Sequence, residues 1–265
     1  MTGISLFDSH AHLDTIKGGE TELAALLDRV WAAGLKGIVA IAGATKAGEY
    51  TDTLSISERD SRIYVAAGIH PHAASSATLN GLDLLRRALD HLGVVALGEI
   101  GLDYHYNHSA PADQRRAFVD QIKMAHKTNL PIVIHTREAD DDTLSILRDE
   151  GASDVGGVVH CFSGGPDFAR AVLDLGFYVS FSGIVTFPKA TEVQEAAVLI
   201  PEDKILAETD SPFLSPVPFR GKVNEPHRVL HVVEKLAELR NTAPEKMGAF
   251  TVENTRRCFK MDSTS

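Results

Sequence analysis

The feature that most constrains this chain is a recurrence. Short apolar runs, each followed by a loop bearing Gly, Pro or His and then an amphipathic stretch, repeat along most of its length. The runs are 4–7, 37–41, 63–67, 94–97, 131–134, 156–159, 177–181 and 205–207. Each is short, rich in β-branched or aromatic residues and without helical period, which predicts a buried strand. Between them, 21–33 places Leu23, Leu26, Leu27 and Val30 at helical spacing, and Gly34 follows as the residue that ends the helix. Segments 82–92, 111–128, 141–150, 167–175, 188–199, 226–240 and 244–259 predict further helices, the last two opening with Pro at the first helical position. Strands alternating with helices define an α/β protein with a parallel sheet. Eight such units in 265 residues favour a closed TIM barrel over an open doubly wound sheet.

No low-complexity tract, charge block or Pro/Gly-rich linker divides the chain, so 1–265 is expected to be one domain, with the polar tail 261–265 fraying. At 44% hydrophobic and 23% charged residues, a large core is expected and global disorder is not. No run of 18 apolar residues is present to span a membrane, and the N-terminus lacks the basic and apolar regions of a signal peptide. Two cysteines, Cys161 and Cys258, make no disulfide framework and fit a reducing cytoplasm. The net charge of −10 argues against a large nucleic-acid footprint but not against a small basic groove, because bound cations reverse the local sign.

The polar residues fall where a barrel enzyme needs them, beyond the C-terminal ends of the strands. The first strand is followed by Asp8, His10 and His12, the third by His70 and His72, and the fourth by Glu99 and Asp103. His135 follows the fifth strand, His160 the sixth and Asp210 the eighth. Strand side chains alternate, so Asp8, His10 and His12 are expected on one face, where two imidazoles can hold one ion. Imidazoles with carboxylates suit zinc, manganese or magnesium, and one carboxylate between two cations can hold them roughly 3.5–4 Å apart. Singly, each residue has a structural explanation, such as a helix cap for Asp210 or a turn for His70. Together, so many costly polar groups on one rim point to a site. His91, His108, His126 and His231 read as ordinary surface or core residues, and alternation is expected to turn Cys161 away from His160.

At these residues the chain resembles the TatD family of metal-dependent deoxyribonucleases. The motifs are DSHAHLD (8–14), AAGIHPH (66–72), ALGEIGLDYH (96–105), PIVIHTRE (131–138), VVHCFSGG (158–165), AETDSPFLSP (207–216) and RGKVNEP (220–226), with TVENTRRCF (251–259) resembling the closing helix. The resemblance implies that His10 and His12 hold one metal with Asp210, that Glu99 bridges, and that His135 and His160 hold the second. It places His70 and Asp103 in the site and Arg220, Lys222, Asn224 and Glu225 near the substrate. The chain departs from the family at Val223, where a basic residue is usual, and at Phe213, where an aromatic hydroxyl is common.

The expected activity is exonucleolytic hydrolysis of single-stranded DNA or RNA by two divalent ions, with Asp210 as the base, and the resemblance implies a 3′-5′ direction. His70 or Arg137 would steady phosphate charge, and Arg220 and Lys222 would hold the strand. A closed rim suits a chain end more than a long duplex, and a monomer is a plausible state. The alternative from the same chemistry is ester or amide hydrolysis, such as removal of an amino acid from transfer RNA. A non-catalytic metal-binding scaffold is a third reading, disfavoured by so wide a ligand set.

Overall fold

The computed structural model describes residues 3–43 and 48–261; the end of the tail, 262–265, lies outside them. Eight parallel strands run in sequence order around one sheet: β1 Leu6–Ala11, β2 Leu35–Ala42, β3 Ile63–Ala67, β4 Val94–Asp103, β5 Ile132–Arg137, β6 Gly157–Val159, β7 Tyr178–Phe181 and β8 Ile205–Ala207. The last strand meets the first through segments just beyond it. Asp210 N–H donates to the His10 carbonyl at 3.0 Å, and His12 N–H donates to the Ser211 carbonyl at 2.8 Å. These bonds bring the edges of the sheet together into a barrel.

Nine helices among the described residues surround the strands: α1 Gly19–Ala32, α2 Thr51–Arg59, α3 Leu79–Leu89, α4 Pro111–Thr128, α5 Asp140–Asp149, α6 Pro166–Asp174, α7 Thr191–Leu199, α8 Val229–Leu239 and α9 Pro244–Cys258. Their ends follow local chemistry. Gly34, at φ 93°, takes the left-handed conformation after α1. The Thr78 hydroxyl accepts from Gly81 N–H at the start of α3. Helix α2 was not singled out by apolar spacing, because it buries small polar Thr53 and Ser57 beside Ile56. The segment from 188 becomes helical only at Thr191, and that from 226 makes one 3-10 turn before α8. None of the helices is long and apolar enough to cross a membrane.

The barrel interior is layered. Phe7, Val39, Ile41, Ala66, Ala96, Val133, Val158 and Leu206 supply apolar side chains from seven strands, and Cys258 and Phe259 at the end of α9 pack against them. A larger apolar cluster lies between the sheet and the helices. Toward the C-terminal ends of the strands the interior turns polar, starting with a Ser9–Ser180 hydroxyl contact of 3.0 Å. Strands β1, β4 and β5 run further than their apolar runs, so Asp8, His10, Glu99, Asp103 and His135 lie within strands and not after them. Such long inward polar stretches are tolerated because their groups find partners.

Candidate metal centre

Glu99 occupies the middle of the polar layer, 3% exposed. Its position depends on the glycines around it. Gly101 lies at φ 138°, and a Cβ there would meet the His135 carbonyl oxygen at 2.0 Å. Only glycine lets β4 approach β5 so closely, which sets the Glu99 carboxylate beside His135. The two oxygens of Glu99 face different imidazoles. Oε1 lies 2.7 Å from His160 Nε2, 2.8 Å from His135 Nδ1 and 3.3 Å from His70 Nε2, whereas Oε2 lies 3.5 Å from His10 Nε2. On the His10 side, Asp210 Oδ1 is 3.2 Å from His12 Nε2 and 3.7 Å from His10 Nε2. The His10 and His160 rings stack at 3.9 Å.

The electrostatics follow from this packing. Burial works against the Glu99 carboxylate, but His160 and His70 outweigh it and hold its pKa well below the ordinary range. Asp210 is likewise lowered against its burial, chiefly by the hydrogen bond from His12. Burial also opposes charge on His160, His12 and His135, yet the neighbouring carboxylates raise all three above the usual imidazole value. His70 is different, because burial pushes it down to about 4. A ring of carboxylates that favours positive charge on three imidazoles favours a cation among them for the same reason.

The donors also fit a metal by what they lack. Both ring nitrogens of His10 are buried without a hydrogen-bond partner, a costly state for imidazole unless a cation takes the lone pair. Three donor sets have their atoms within 4.8 Å of one another: His10, His12 and Glu99; His10, His160 and Asp210; and His70, Glu99 and His135. His70 thus stands among the donors, and not merely beside them.

A second layer holds these groups. Glu208 Oε1 lies 3.3 Å from His160 Nδ1 and accepts from Cys161 N–H at 2.7 Å. Asp8 sits equally deep, but no imidazole N–H reaches it; it accepts from Thr209 N–H, Thr209 Oγ1 and His10 N–H. Shifts in the β1–β2 register on both sides of Asp8 break simple alternation and divert its side chain to β8. Two glutamines on the buried face of α4 add backbone support. Gln114 accepts from Asp103 N–H and donates to its carbonyl, and Gln121 does the same for Ile69, next to His70. Their spacing with Ala117, Phe118, Ile122 and Ala125 was the available signal: polar residues set into an apolar helix face.

A cavity of about 870 Å³ opens above the cluster. His12, His70, Glu99, Asp103, His135, Arg137, His160 and Asp210 all reach its wall. Asp103 does not offer a free carboxylate there: Oδ2 faces His72 at 2.9 Å and His135 at 3.1 Å, and Oδ1 accepts from Tyr106 N–H. In this arrangement its carboxylate faces two imidazoles. Arg220, Lys222 and Asn224 are absent from the wall. The Arg220 guanidinium lies over Phe187, the Lys222 ammonium faces Phe219, and Asn224 is buried, donating to the Thr209 carbonyl. That bond ties Asn224 to the loop after β8. Glu225 pairs with Arg29 of α1. His108, expected to be ordinary, lines the cavity, as does Cys161. β6 ends at Val159 and Cys161 turns at φ 45°, so strand alternation no longer governs it.

A parallel barrel with an imidazole–carboxylate cluster at the C-terminal ends of its strands defines the class of metal-dependent barrel hydrolases. The family described as TatD related DNase matches residues 7–260, and the chain belongs to the TatD family. It is 41% identical over 257 residues to the uncharacterized metal-dependent hydrolase YabD of Bacillus subtilis, covering 97% of this chain and 100% of that one. It is 34% identical over 238 residues to the 3′-5′ ssDNA/RNA exonuclease TatD of Salmonella typhimurium, covering 88% and 91%. The crystal structure of the Escherichia coli TatD homologue YJJV superposes with a TM-score of 0.90 at 29% identity, covering 97% of this chain and 98% of that chain. The chain is accordingly a metal-dependent hydrolase of this family.

Proposed function

We propose that the protein removes nucleotides from the 3′ end of single-stranded DNA or RNA, using two divalent cations among magnesium, manganese and zinc. The observation that carries this reading is the placement of Glu99, whose two oxygens face separate imidazole sets. In this reading His10, His12 and Asp210 would hold one cation, His135 and His160 would hold the other with His70 as a further candidate donor, and Glu99 would be shared between them. Such a cation pair supplies an acidified water near neutral pH and positive charge against phosphoryl oxygens.

The chain's own groups do the rest. Asp210 is held as a carboxylate, so it can take a proton from the attacking water. The water oxygen bonds to phosphorus, the bond to the 3′ oxygen breaks, and that oxygen takes a proton from solvent while Asp210 releases its own to solvent. Arg137 is the one Arg or Lys on the cavity wall among the described residues, placed to meet a phosphate. Arg220 and Lys222, outside the cavity, would hold the strand further along. A pocket at the barrel mouth of a chain with net charge −10 favours a strand end over long duplex. The Salmonella relative's name agrees with this substrate.

The test uses metal-reconstituted protein and 5′-labelled single strands with free or blocked 3′ ends. Stepwise shortening of the free strand alone is expected. Internal cutting of the blocked strand at the same rate would overturn the end-pocket reading. Hydrolysis of an aminoacyl ester with neither strand cut would replace it with a deacylase.

A further inference from the structure

Several aromatic rings stand on the cavity rim or the loops beside it, and most are already occupied. Tyr106 carries the Arg137 guanidinium 4.7 Å from its centroid and lies parallel to His108 at 5.6 Å. Phe187 is covered by Arg220 at 3.8 Å, and Phe219 by Arg228 at 4.6 Å. Phe213 differs. It lines the cavity, is 52% exposed, and is touched by the His12 ring at 5.7 Å and 71°, an edge contact. Unlike the other three, its ring has no cation or parallel ring over its face among the described residues.

The backbone beneath Phe213 is fixed. Its N–H donates to the Asp210 carbonyl at 2.9 Å, and Asn224 N–H donates to the Pro212 carbonyl at 3.0 Å. The ring is thus presented at a set height, three residues from the proposed base. Lacking a hydroxyl, it can offer only stacking or apolar contact. Leu214 and Ile184 are its apolar companions on the cavity wall.

We propose that Phe213 is a stacking platform for the 3′-terminal base of the strand. This rests on the nuclease reading above. An aromatic face accepts any base, because every base presents a π surface. The cavity therefore recognises that a base is present without reading which one, and the adjoining phosphodiester lies near the cations that Glu99 and Asp210 would hold.

The experiment compares 3′ ends bearing adenine with ends bearing an abasic tetrahydrofuran residue. Wild-type protein is expected to favour the adenine end. Phe213→Ala should lower kcat/KM for that end by roughly 5- to 150-fold, the equivalent of about 1–3 kcal/mol per stacked base. It should leave the abasic end nearly unchanged, and Phe213→Trp should restore the preference. As a binding readout, a 3′-terminal 2-aminopurine should be quenched on Asp210→Asn protein and less so when Phe213→Ala is added. If wild type trims both ends equally, or Phe213→Ala slows both equally, the ring does not stack the base, while the nuclease reading stands. If wild type trims neither, the nuclease reading itself falls, and this inference with it.

Discussion

Replacing Glu208 by Gln separates a carboxylate that tunes the metal centre from one that merely fills space. Glu208 is fully buried; Oε1 accepts from Cys161 N–H and faces His160 Nδ1, while Oε2 has no hydrogen-bond partner. A glutamine can keep the Cys161 bond through its amide oxygen, but it removes the negative charge behind the imidazole. A hydrogen bond to a charged group contributes about 1.5–3 kcal/mol and a neutral one about 0.5–1.5 kcal/mol, so the difference is roughly 1–2 kcal/mol. That corresponds to about 5- to 30-fold in cation affinity, which overlaps the roughly 10- to 100-fold losses caused by removing such outer partners. Calorimetric titration of metal-free protein with Mn²⁺ or Zn²⁺ measures it directly. The Glu208 charge also helps raise His160, so the imidazole pKa followed by NMR should drop in the variant. The melting temperature of the metal-free protein should hold, because the change removes a buried charge with one unpartnered oxygen. An unchanged affinity with a melting temperature several degrees lower would refute the reasoning and leave Glu208 as an anchor for the Cys161 turn.

Three further outcomes are expected. Glu99→Ala should abolish turnover and weaken both cation sites in metal analysis, whereas His10→Ala should mainly weaken one; a Glu99→Ala protein that binds two ions and turns over normally would falsify the bridge. Asp210→Asn should cut turnover by roughly 10²–10⁴-fold, as for loss of a general base, with circular dichroism unchanged; an unfolded variant would instead assign Asp210 to the fold. Loading with metal should release protons, because His160, His12 and His135 all have raised pKa values and hold protons at pH where free imidazole has shed them. Affinity should therefore rise with pH through and above the ordinary imidazole range, and the heat of binding should depend on the buffer's ionisation enthalpy.

The strands were legible because parallel strands buried on both faces must be apolar almost throughout, as in the LKGIVAIA stretch of β2. The candidate donors were legible because imidazoles and carboxylates at the strand ends have few other uses. Less could be read where one residue's direction depends on a distant one. Asp8 is expected on one face with His10 and His12 but turns to Thr209, 201 residues away. Asn224 sits in a motif shared with the family and still spends its side chain on the Thr209 carbonyl. Gln114 and Gln121 hold the backbone of Asp103 and Ile69, yet in sequence they look like ordinary polar residues of a helix. Cys161 escaped because alternation holds only while a strand lasts, and β6 is three residues long.

The closure between β1 and β8 has a consequence for how the molecule is made. Residues 8–12 leave the ribosome about 200 residues before their partners Thr209, Asp210 and Ser211, as the separation of 198 between His12 and Asp210 records. At roughly 5–20 residues per second the N-terminal histidines wait on the order of 10–40 s for them. During that time His10 and His12 lack the Asp210 carboxylate, and the seam between first and last strand is open. A chain cut short before β8 is thus born without the proposed base and with only part of the candidate donor set. Barrel closure and assembly of the candidate donor set are therefore linked.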